Sequence, residues 1–260
     1  MKLMGVVNVT PDSFSDGGLY LDPEAAIAHG EELAAAGAAI LDVGGESTRP
    51  GAEEVPEAEE LRRVVPVIAG LAGGGAEVSV DTSKAAVAAA ALDAGAAIVN
   101  DVTALRGDPE MAALCAERGA TVVLMHMLGD PRTMQRDPTY DDVVAEVGTF
   151  LAERLRAALA AGIAEERIWL DPGIGFGKTA EHNLELLRRL PELRRLGRPL
   201  VVGTSRKSFI GRLDGSPASE RLGGTIASSV LAAAEGAEVL RVHDVAEVAE
   251  AIKLADAVLG

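Results

Sequence analysis

The chain repeats one pattern of apolar and polar positions eight times: a short apolar run ends at a polar residue that can take part in chemistry. The runs are LMGVVN, AAILD, EVSVD, AAIVN, TVVLMH, RIWLD, PLVVGTS and EVLRVH, and they end at Asn8, Asp42, Asp81, Asn100, His126, Asp171, Ser205 and His243. Strands that are buried on both faces read as continuous apolar runs, so the pattern predicts eight parallel strands. The polar residues would then lie together at one rim of the sheet.

Stretches rich in Ala, Leu and Glu separate the apolar runs and predict helices at residues 23–36, 55–72, 84–94, 109–118, 140–162, 180–196, 218–235 and 245–258. Alternating strands and helices indicate βαβ units and a parallel sheet. A (β/α)8 TIM barrel needs about 250 residues, and this chain has 260. We therefore predict a single α/β domain over residues 1–260, a closed TIM barrel whose chemistry lies where the strands end.

Composition and charge exclude several classes of protein. The net charge of −16 argues against a general nucleic-acid binder, although a local basic cluster can still hold a small anion. No apolar run approaches the ~18 residues of a membrane span, and the N-terminus enters a strand without a secretory signal. We expect a cytoplasmic protein that binds neither nucleic acid nor membranes. The single cysteine, Cys115, is expected to be a core thiol.

Three polar strand ends are candidates for binding a heterocycle. Asp171 opens the segment DPGIGFGK, and its carboxylate either accepts two parallel N–H groups from an amidine-like ring edge or caps a turn. Pro172 stands where a Walker A motif needs glycine, which argues against a phosphate-binding P-loop. Asp81 and Asn100 end adjacent strands, where they either bind ring donors and acceptors or cap the helices that follow.

The candidate basic residues follow the last two strands. Lys207 in GTSRKSF is either a donor to a carbonyl or imine nitrogen or a solvated surface lysine. Arg241 and His243 are two residues apart on one strand and point the same way, which suits a phosphate group or an inter-strand salt bridge. Asn8 offers an oxygen to a hard cation or a partner to phosphate. His126 is expected to be a core histidine bonded to a neighbouring strand, and the histidine spacing argues against zinc.

Nine segments together carry a resemblance to a known family. In chain order they are MGVVNVTPDSFSDGG, DVGGESTRPGA, VSVDTSKAAV, IVNDV, MHMLGDPRTMQ, DPGIGFGK, SRKSFIG, ERLGGT and RVHDV. They closely resemble the dihydropteroate synthase family of pterin-binding enzymes, with VTAL after Asn100 as a mild departure. The resemblance implies a sulfonamide-target transferase that joins 4-aminobenzoate to 6-hydroxymethyl-7,8-dihydropterin diphosphate, giving 7,8-dihydropteroate and pyrophosphate. It also implies a Mg2+-assisted dissociative substitution and a homodimer.

The resemblance also implies a role for each matching residue. The pterin would be held by Asp81, Asn100, Asp171 and Lys207, and the diphosphate by Arg241, His243 and Asn8, with Mg2+ at Asn8. The aminobenzoate site would comprise Thr48, Arg49, Pro50, Phe176 and Ser208. The catalytic residues would be Asp171, Lys207, Arg241 and His243. A methyltransferase that passes methyl from a folate to a corrinoid protein is one alternative, and a non-catalytic pterin-binding paralogue is another. The segments STRPG and SRKSF favour the synthase.

Overall fold

Eight parallel strands form the centre of the computed structural model, which describes residues 1–10, 22–47, 52, 54–130 and 133–259. The strands are β1 (Lys2–Asn8), β2 (Ile40–Gly44), β3 (Glu77–Asp81), β4 (Ile98–Asp101), β5 (Thr121–Met125), β6 (Ile168–Asp171), β7 (Val201–Val202) and β8 (Val239–Val242). Their hydrogen-bonded order is β6-β5-β4-β3-β2-β1-β8-β7. A further bridge between Leu170 and Leu200 joins the two ends of this order. The predicted single-domain barrel fold is confirmed.

Helices follow the strands and cover the outside of the barrel. They are α1 (Pro23–Ala35), α2 (Glu57–Leu71), α3 (Ala85–Asp93), α4 (Met111–Arg118), α5 (Val143–Ala160), α6 (Ala180–Arg188), α7 (Leu190–Arg194), α8 (Ser208–Asp214), α9 (Leu222–Ala234) and α10 (Val245–Leu259). The helix predicted over residues 180–196 is divided, because Pro191 lies in the first turn of a new helix. The predictions did not include α8, which follows β7 directly.

The seventh strand is much shorter than its apolar run predicted. Only Val201 and Val202 pair with β8, although the run PLVVGTS covers seven residues. The chain leaves the sheet in a turn in which Lys207 N donates to Thr204 O at 3.2 Å. Within that turn Arg206 has a positive φ of 57°. Lys207 is thereby brought close to the strand end.

The barrel interior has an apolar floor below a polar layer. The floor consists of seven buried inward-facing residues, Met4, Ile40, Ile98, Val123, Trp169, Val201 and Val239. Residues two positions apart on a strand face the same side, so Asp42, Asn100, Asp171 and Arg241 stand directly above four of these floor residues. With Asp81, these four residues form what we call the polar layer. It lies at the carboxyl ends of the strands, where (β/α)8 barrels place their active sites.

A second core fills the space between the strands and the helices, with Ile68, Met111, Leu151 and Leu186 among its fully buried members. Cys115 belongs to this core and is fully buried, as the sequence predicted. Burial raises the pKa of its thiol to about 12, which keeps it protonated and unreactive. Across the described ranges, every helix is too short or too polar to cross a lipid bilayer.

Candidate active site

Arg241 is the centre of the polar layer. Its Nε donates to Asp42 Oδ2 at 2.7 Å and its Nη2 donates to Asp81 Oδ2 at 2.9 Å. Asn100 Nδ2 donates to the same oxygen of Asp42 at 3.0 Å. Four strands therefore contribute to one hydrogen-bonded cluster. The salt-bridge interpretation of Arg241 is observed here, and the phosphate-binding interpretation would use the same guanidinium.

Two carboxylates share the single guanidinium of Arg241, and both are buried. Burial alone would lower the pKa of Arg241, but the charges of Asp42 and Asp81 outweigh it and raise that pKa above its ordinary value. Burial raises the pKa of Asp81 to about 7, and Arg241 only partly opposes this shift. One guanidinium therefore faces two buried carboxylates, and its single positive charge cannot neutralise both of them fully.

Asp171 and Lys207 carry opposite charges that influence each other without a direct salt bridge. Burial raises the pKa of Asp171, and the charge of Lys207 opposes the rise. Burial lowers the pKa of Lys207 to about 8, and the charge of Asp171 opposes the fall. Asp171 Oδ1 accepts from Gly173 N at 2.6 Å, so the carboxylate does cap a turn. Lys207 Nζ donates to Ile174 O and is not a solvated surface lysine.

His243 is held at the end of β8 by Ser205. The Oγ of Ser205 lies 3.0 Å from His243 Nδ1 and accepts from the backbone N–H of His243 at 3.2 Å. Next to it, Arg206 Nε donates to Asp244 Oδ2 at 3.0 Å. Since His243 follows Arg241 by two residues, both side chains border the same space. Together they suit an anionic group at this mouth of the barrel.

A cleft of about 540 Å³ opens above these groups. Its wall includes Asn8, Asp81, Phe176, Lys207 and Ser208, together with Arg241 and His243. The ring of Phe176 lies below Lys207, with the ammonium nitrogen 4.6 Å from the ring centroid. Ser208 is exposed at the start of α8. A cleft of this size accommodates a bicyclic heteroaromatic ligand with a charged substituent.

Asn100 and Asp171 are 5% and 6% exposed and do not line this cleft. Asn100 is bonded to Asp42, and Asp171 belongs to the polar layer that also contains Arg241. The structure therefore brings together seven of the predicted residues at the cleft wall and two at its base. Thr48, Arg49 and Pro50 lie outside the described residues. Asp81 does not cap α3, because Lys84 occupies the N-cap position and its N–H donates to Thr82 Oγ1.

The described residues offer a modest set of ligands for a metal ion. They contain no group of three or more His, Cys, Asp or Glu side chains arranged to hold one. Asn8 supplies an amide oxygen at the cleft wall. Mg2+ commonly keeps several waters and binds through one or two protein oxygens plus substrate phosphates. The described part of the site therefore fits an ion that arrives with a diphosphate better than one held by these side chains alone.

Three residues of the site were not assigned a role from the sequence. Asp42 was recognised as a strand end, but its two bonds to other polar residues appear only in the fold. Lys178 was one of three lysines shortly after strand ends, and it is buried against His126. Gln135 donates to Gly175 O at 2.6 Å. His126 is a core histidine as predicted, with its backbone N–H bonded to β6 and its ring bonded to the loop beyond.

Comparisons with known proteins found a matching family and relatives over nearly the full chain. The sequence pattern that defines the family described as "Pterin binding enzyme" matches residues 4–243. The dihydropteroate synthase of Escherichia coli strain K12 is 50% identical over 258 residues, which cover 99% of this chain and 91% of that protein. Similarity at this level extends over nearly the whole chain.

Two solved structures are similar along the whole fold. The dihydropteroate synthase of Yersinia pestis, in complex with a sulfonamide drug, has a TM-score of 0.97 and 47% identity, and covers 99% of this chain and 94% of that chain. The dihydropteroate synthase of Xanthomonas albilineans, in complex with 7,8-dihydropteroate, has a TM-score of 0.90 and 49% identity, and covers 100% of this chain and 94% of that chain.

Proposed function

The chain belongs to the pterin binding enzyme family, and from this membership we propose its substrates and the roles of the residues at the barrel mouth. It is a transferase, and its relatives over nearly its full length are dihydropteroate synthases. The proposed substrates are 6-hydroxymethyl-7,8-dihydropterin diphosphate and 4-aminobenzoate. The proposed products are 7,8-dihydropteroate, the compound bound to the Xanthomonas relative, and pyrophosphate.

The pterin ring would lie above the polar layer. Asp171 would accept from the amidine-like edge of the ring, and Lys207 would donate to a ring acceptor. Asn100 donates its amide hydrogen to Asp42, so its carbonyl oxygen would accept from the ligand. Asp81 would border the ring from the next strand. These groups recognise the heterocycle by complementary donors and acceptors.

The diphosphate would lie beside Arg241 and His243, with Asn8 at the end of the adjacent strand β1. Departure of the diphosphate breaks the bond between the pterin methylene carbon and the bridging oxygen, and the electron pair leaves with the oxygen. Arg241 and His243 stabilise the negative charge that grows there. When bound, Mg2+ would supply positive charge against the diphosphate, and Asn8 would be the protein group that holds it.

The amine nitrogen of 4-aminobenzoate would then form the new carbon–nitrogen bond, and its surplus proton would pass to water. No strong base is needed, because an aryl amine is neutral at pH 7. Phe176 would flank the aromatic ring of this substrate and Ser208 would meet its carboxylate. Thr48, Arg49 and Pro50, which lie outside the described residues, would complete the site. Catalysis would come mainly from positioning and from preorganised charge.

The observation that supports this proposal best is the placement of Asp171 and Lys207 beside the Arg241 cluster, at one mouth of a pterin-family barrel. A pyrophosphate-release assay tests it. We expect steady release only when the pterin diphosphate, 4-aminobenzoate and Mg2+ are all present. In a single turnover without the amine, enzyme-bound pyrophosphate would support departure before attack. No release with all three components would refute the proposed reaction.

We also propose that the protein forms a homodimer. Leu231 on α9 is 60% exposed, and Leu254 and Val258 on the neighbouring α10 are 68% and 74% exposed. Such large apolar side chains on adjacent helices suit burial against a second copy of the chain. Sedimentation equilibrium of the wild type and of Leu254→Lys measures this directly. A dimer that the substitution weakens is expected, and a monomeric wild type would exclude the proposal.

A further inference from the structure

The loop after β6, residues 172–178, has an unusual set of backbone partners. Its five consecutive carbonyls each accept a hydrogen bond from a side chain. Lys178 Nζ donates to Gly173 O and to Phe176 O, both at 2.9 Å. The other three carbonyls, of Ile174, Gly175 and Gly177, accept from Lys207, Gln135 and Tyr140. Exposed loops commonly rely on water for such bonds, whereas the carbonyls of this loop are bonded to side chains of the protein.

Lys178 is the centre of this arrangement and is only 3% exposed. Its third partner is His126, whose Nδ1 lies 2.9 Å from Nζ. Three partners in three directions match the three positions around an amine nitrogen. A buried amine is costly unless its polar positions are all met, and here they are met by two loop carbonyls and one histidine. Burial lowers the pKa of Lys178 well below its usual range, and the pKa of His126 to about 3.

His126 connects the loop to a rigid part of the barrel. It follows β5, its backbone N–H donates to Asp171 O at 2.9 Å, and its ring packs edge-on against Phe150 at a centroid distance of 4.8 Å. The carbonyls that Lys178 holds belong to the residues on either side of Ile174 and Gly175. Through His126 and Lys178, the loop that carries Phe176 is therefore anchored to β5.

The loop in turn sets two groups of the active site. Phe176 belongs to it, and Lys207 donates to its Ile174 carbonyl while lying over the Phe176 ring. A small shift of this backbone would therefore move both an aromatic wall and a charged donor. Displacements of about 1 Å in a reacting geometry can cost ~10²-fold in rate.

We propose that Lys178 and His126 act as a positioning pair, which holds the loop so that Phe176 and Lys207 meet the substrates in a productive geometry. Neither residue is assigned contact with a reacting atom. This proposal rests on the proposed function, in which Phe176 flanks the aromatic amine. The two side chains are thus required for the affinity of the second substrate rather than for the folding of the barrel.

The first experiment compares Lys178→Met with Lys253→Met. Methionine keeps the apolar length of the chain and removes the nitrogen, and Lys253 is an exposed lysine on α10 that serves as the control. We expect Lys178→Met to raise the KM for 4-aminobenzoate about tenfold or more, with a smaller change in the dissociation constant of the pterin diphosphate. Lys253→Met should stay within about twofold of wild type, as surface substitutions usually do.

The second experiment uses the partner residue and does not depend on the folding of the lysine variant. His126→Asn keeps a polar group near the position of Nδ1, whereas His126→Leu removes it. We expect the asparagine variant to recover most of the amine affinity that the leucine variant loses. Tyr140→Phe, which releases only Gly177 O at the far end of the loop, should have a smaller effect of the same kind.

Hydrogen exchange of the 172–178 peptide gives a readout that needs no substrate. Faster exchange in Lys178→Met and His126→Leu, with unchanged exchange in the β5 peptide, is the expected result. Wild-type exchange in both variants would overturn the proposal, and so would an equal loss for both substrates accompanied by a lower melting temperature. A wild-type protein without turnover would instead refute the proposed function, while the exchange experiment would still test the pair.

Discussion

The apolar floor and the polar layer are built by the same strands, two residues apart, but they contribute to the protein in opposite ways. Ile40 and Ile98 of the floor are completely buried, and side chains of this kind contribute about 1.5–3 kcal/mol each when removed from water. Asp42 and Asn100, roughly 6.6 Å further along the strands, are almost as deeply buried but polar.

Burial of the polar layer costs stability unless its groups satisfy one another. They do so only in part. Asp42 Oδ1 and the hydroxyl of Ser79, its register partner on β3, have no hydrogen-bond partner among the described residues. The residues that stabilise the barrel and the residues that can take part in chemistry therefore lie two positions apart on the same strands. The floor supports the layer, and the layer holds the polar groups at the mouth of the barrel.

The largest expected effect concerns the chemistry of the polar layer and of Lys207 beside it. We expect Asp171→Asn and Lys207→Ala each to lose about 10²–10³ in kcat, because each removes a preorganised charge. Both variants should remain folded, since neither touches the floor. Turnover near that of the wild type in either variant would remove that residue from the mechanism, and circular dichroism checks the fold.

Asp42 tests whether the polar layer depends on its internal bonds. Asp42→Ala leaves Arg241 Nε and Asn100 Nδ2 without their shared acceptor, and we expect kcat/KM for the pterin diphosphate to fall about tenfold or more. Asp42→Asn retains an acceptor oxygen of the same shape and should recover part of that loss. Steady-state kinetics of the pair measures this, and identical values for the two variants would show that charge, not geometry, is what matters at this position.

A substitution in the apolar floor should lower the stability of the protein without lowering its activity. Ile98→Val removes one methylene group from a completely buried side chain, and we expect a loss of about 0.5–1.5 kcal/mol in the free energy of unfolding. The value of kcat should stay close to that of the wild type at a temperature where the protein is folded. Denaturant unfolding and the same kinetic assay separate the two quantities, and a large loss of kcat would contradict the division between floor and layer.

The pH dependence of activity reports on Lys207. Its pKa is lowered to about 8 by burial, so the protonated donor is lost as the pH rises through about 8. We expect kcat/KM, which reflects the free enzyme, to fall over the same range. Lys207→Arg carries a cation that does not titrate there, and its weaker activity should lack this fall. If kcat/KM of the arginine variant still falls at alkaline pH as in the wild type, a group other than Lys207 causes the fall.

The smallest expected effect is a pH dependence of stability at Asp81. Burial raises its pKa in the folded protein from the usual 3.8 to about 7, so the folded state binds this proton more tightly than the unfolded chain does. The contribution to stability is therefore fully present below about pH 4 and is lost as the pH rises through about 7. Asp81→Asn should flatten this slope in urea unfolding, and an unchanged slope would exclude Asp81 as its source.

Much of this fold and part of the site could be predicted from the sequence. Eight apolar runs that end in polar residues predicted the strands, and the rule that barrels place chemistry at strand ends brought Asp81, Asn100, Lys207 and Arg241 together. Periodicity could not reveal α8 or the break before α7, because short helices near turns carry little pattern. The brevity of β7 was also missed, since an apolar run alone does not show where a chain leaves its sheet.

The pattern of apolar and polar residues could not predict hydrogen bonds between residues that are far apart along the chain. Asp42 binds Arg241 across 199 positions of the chain, and nothing in the local sequence distinguishes it from other strand-end carboxylates. Lys178 likewise reads as one more lysine after a glycine-rich turn. Its burial results from loop carbonyls that curl toward it, and this curl depends on backbone torsions rather than on side-chain polarity.

The backbone torsions of this loop limit where resistance to an inhibitor could arise. At Gly173 the φ angle is +67° and an added β-carbon would come within 1.8 Å of His126 O, while at Gly177 one would come within 2.6 Å of Leu128 Cβ. A compound that contacts the backbone at Gly173 and Gly177 meets two positions where no side chain can be added without displacing neighbouring atoms. Escape from such a compound would have to arise elsewhere in the protein.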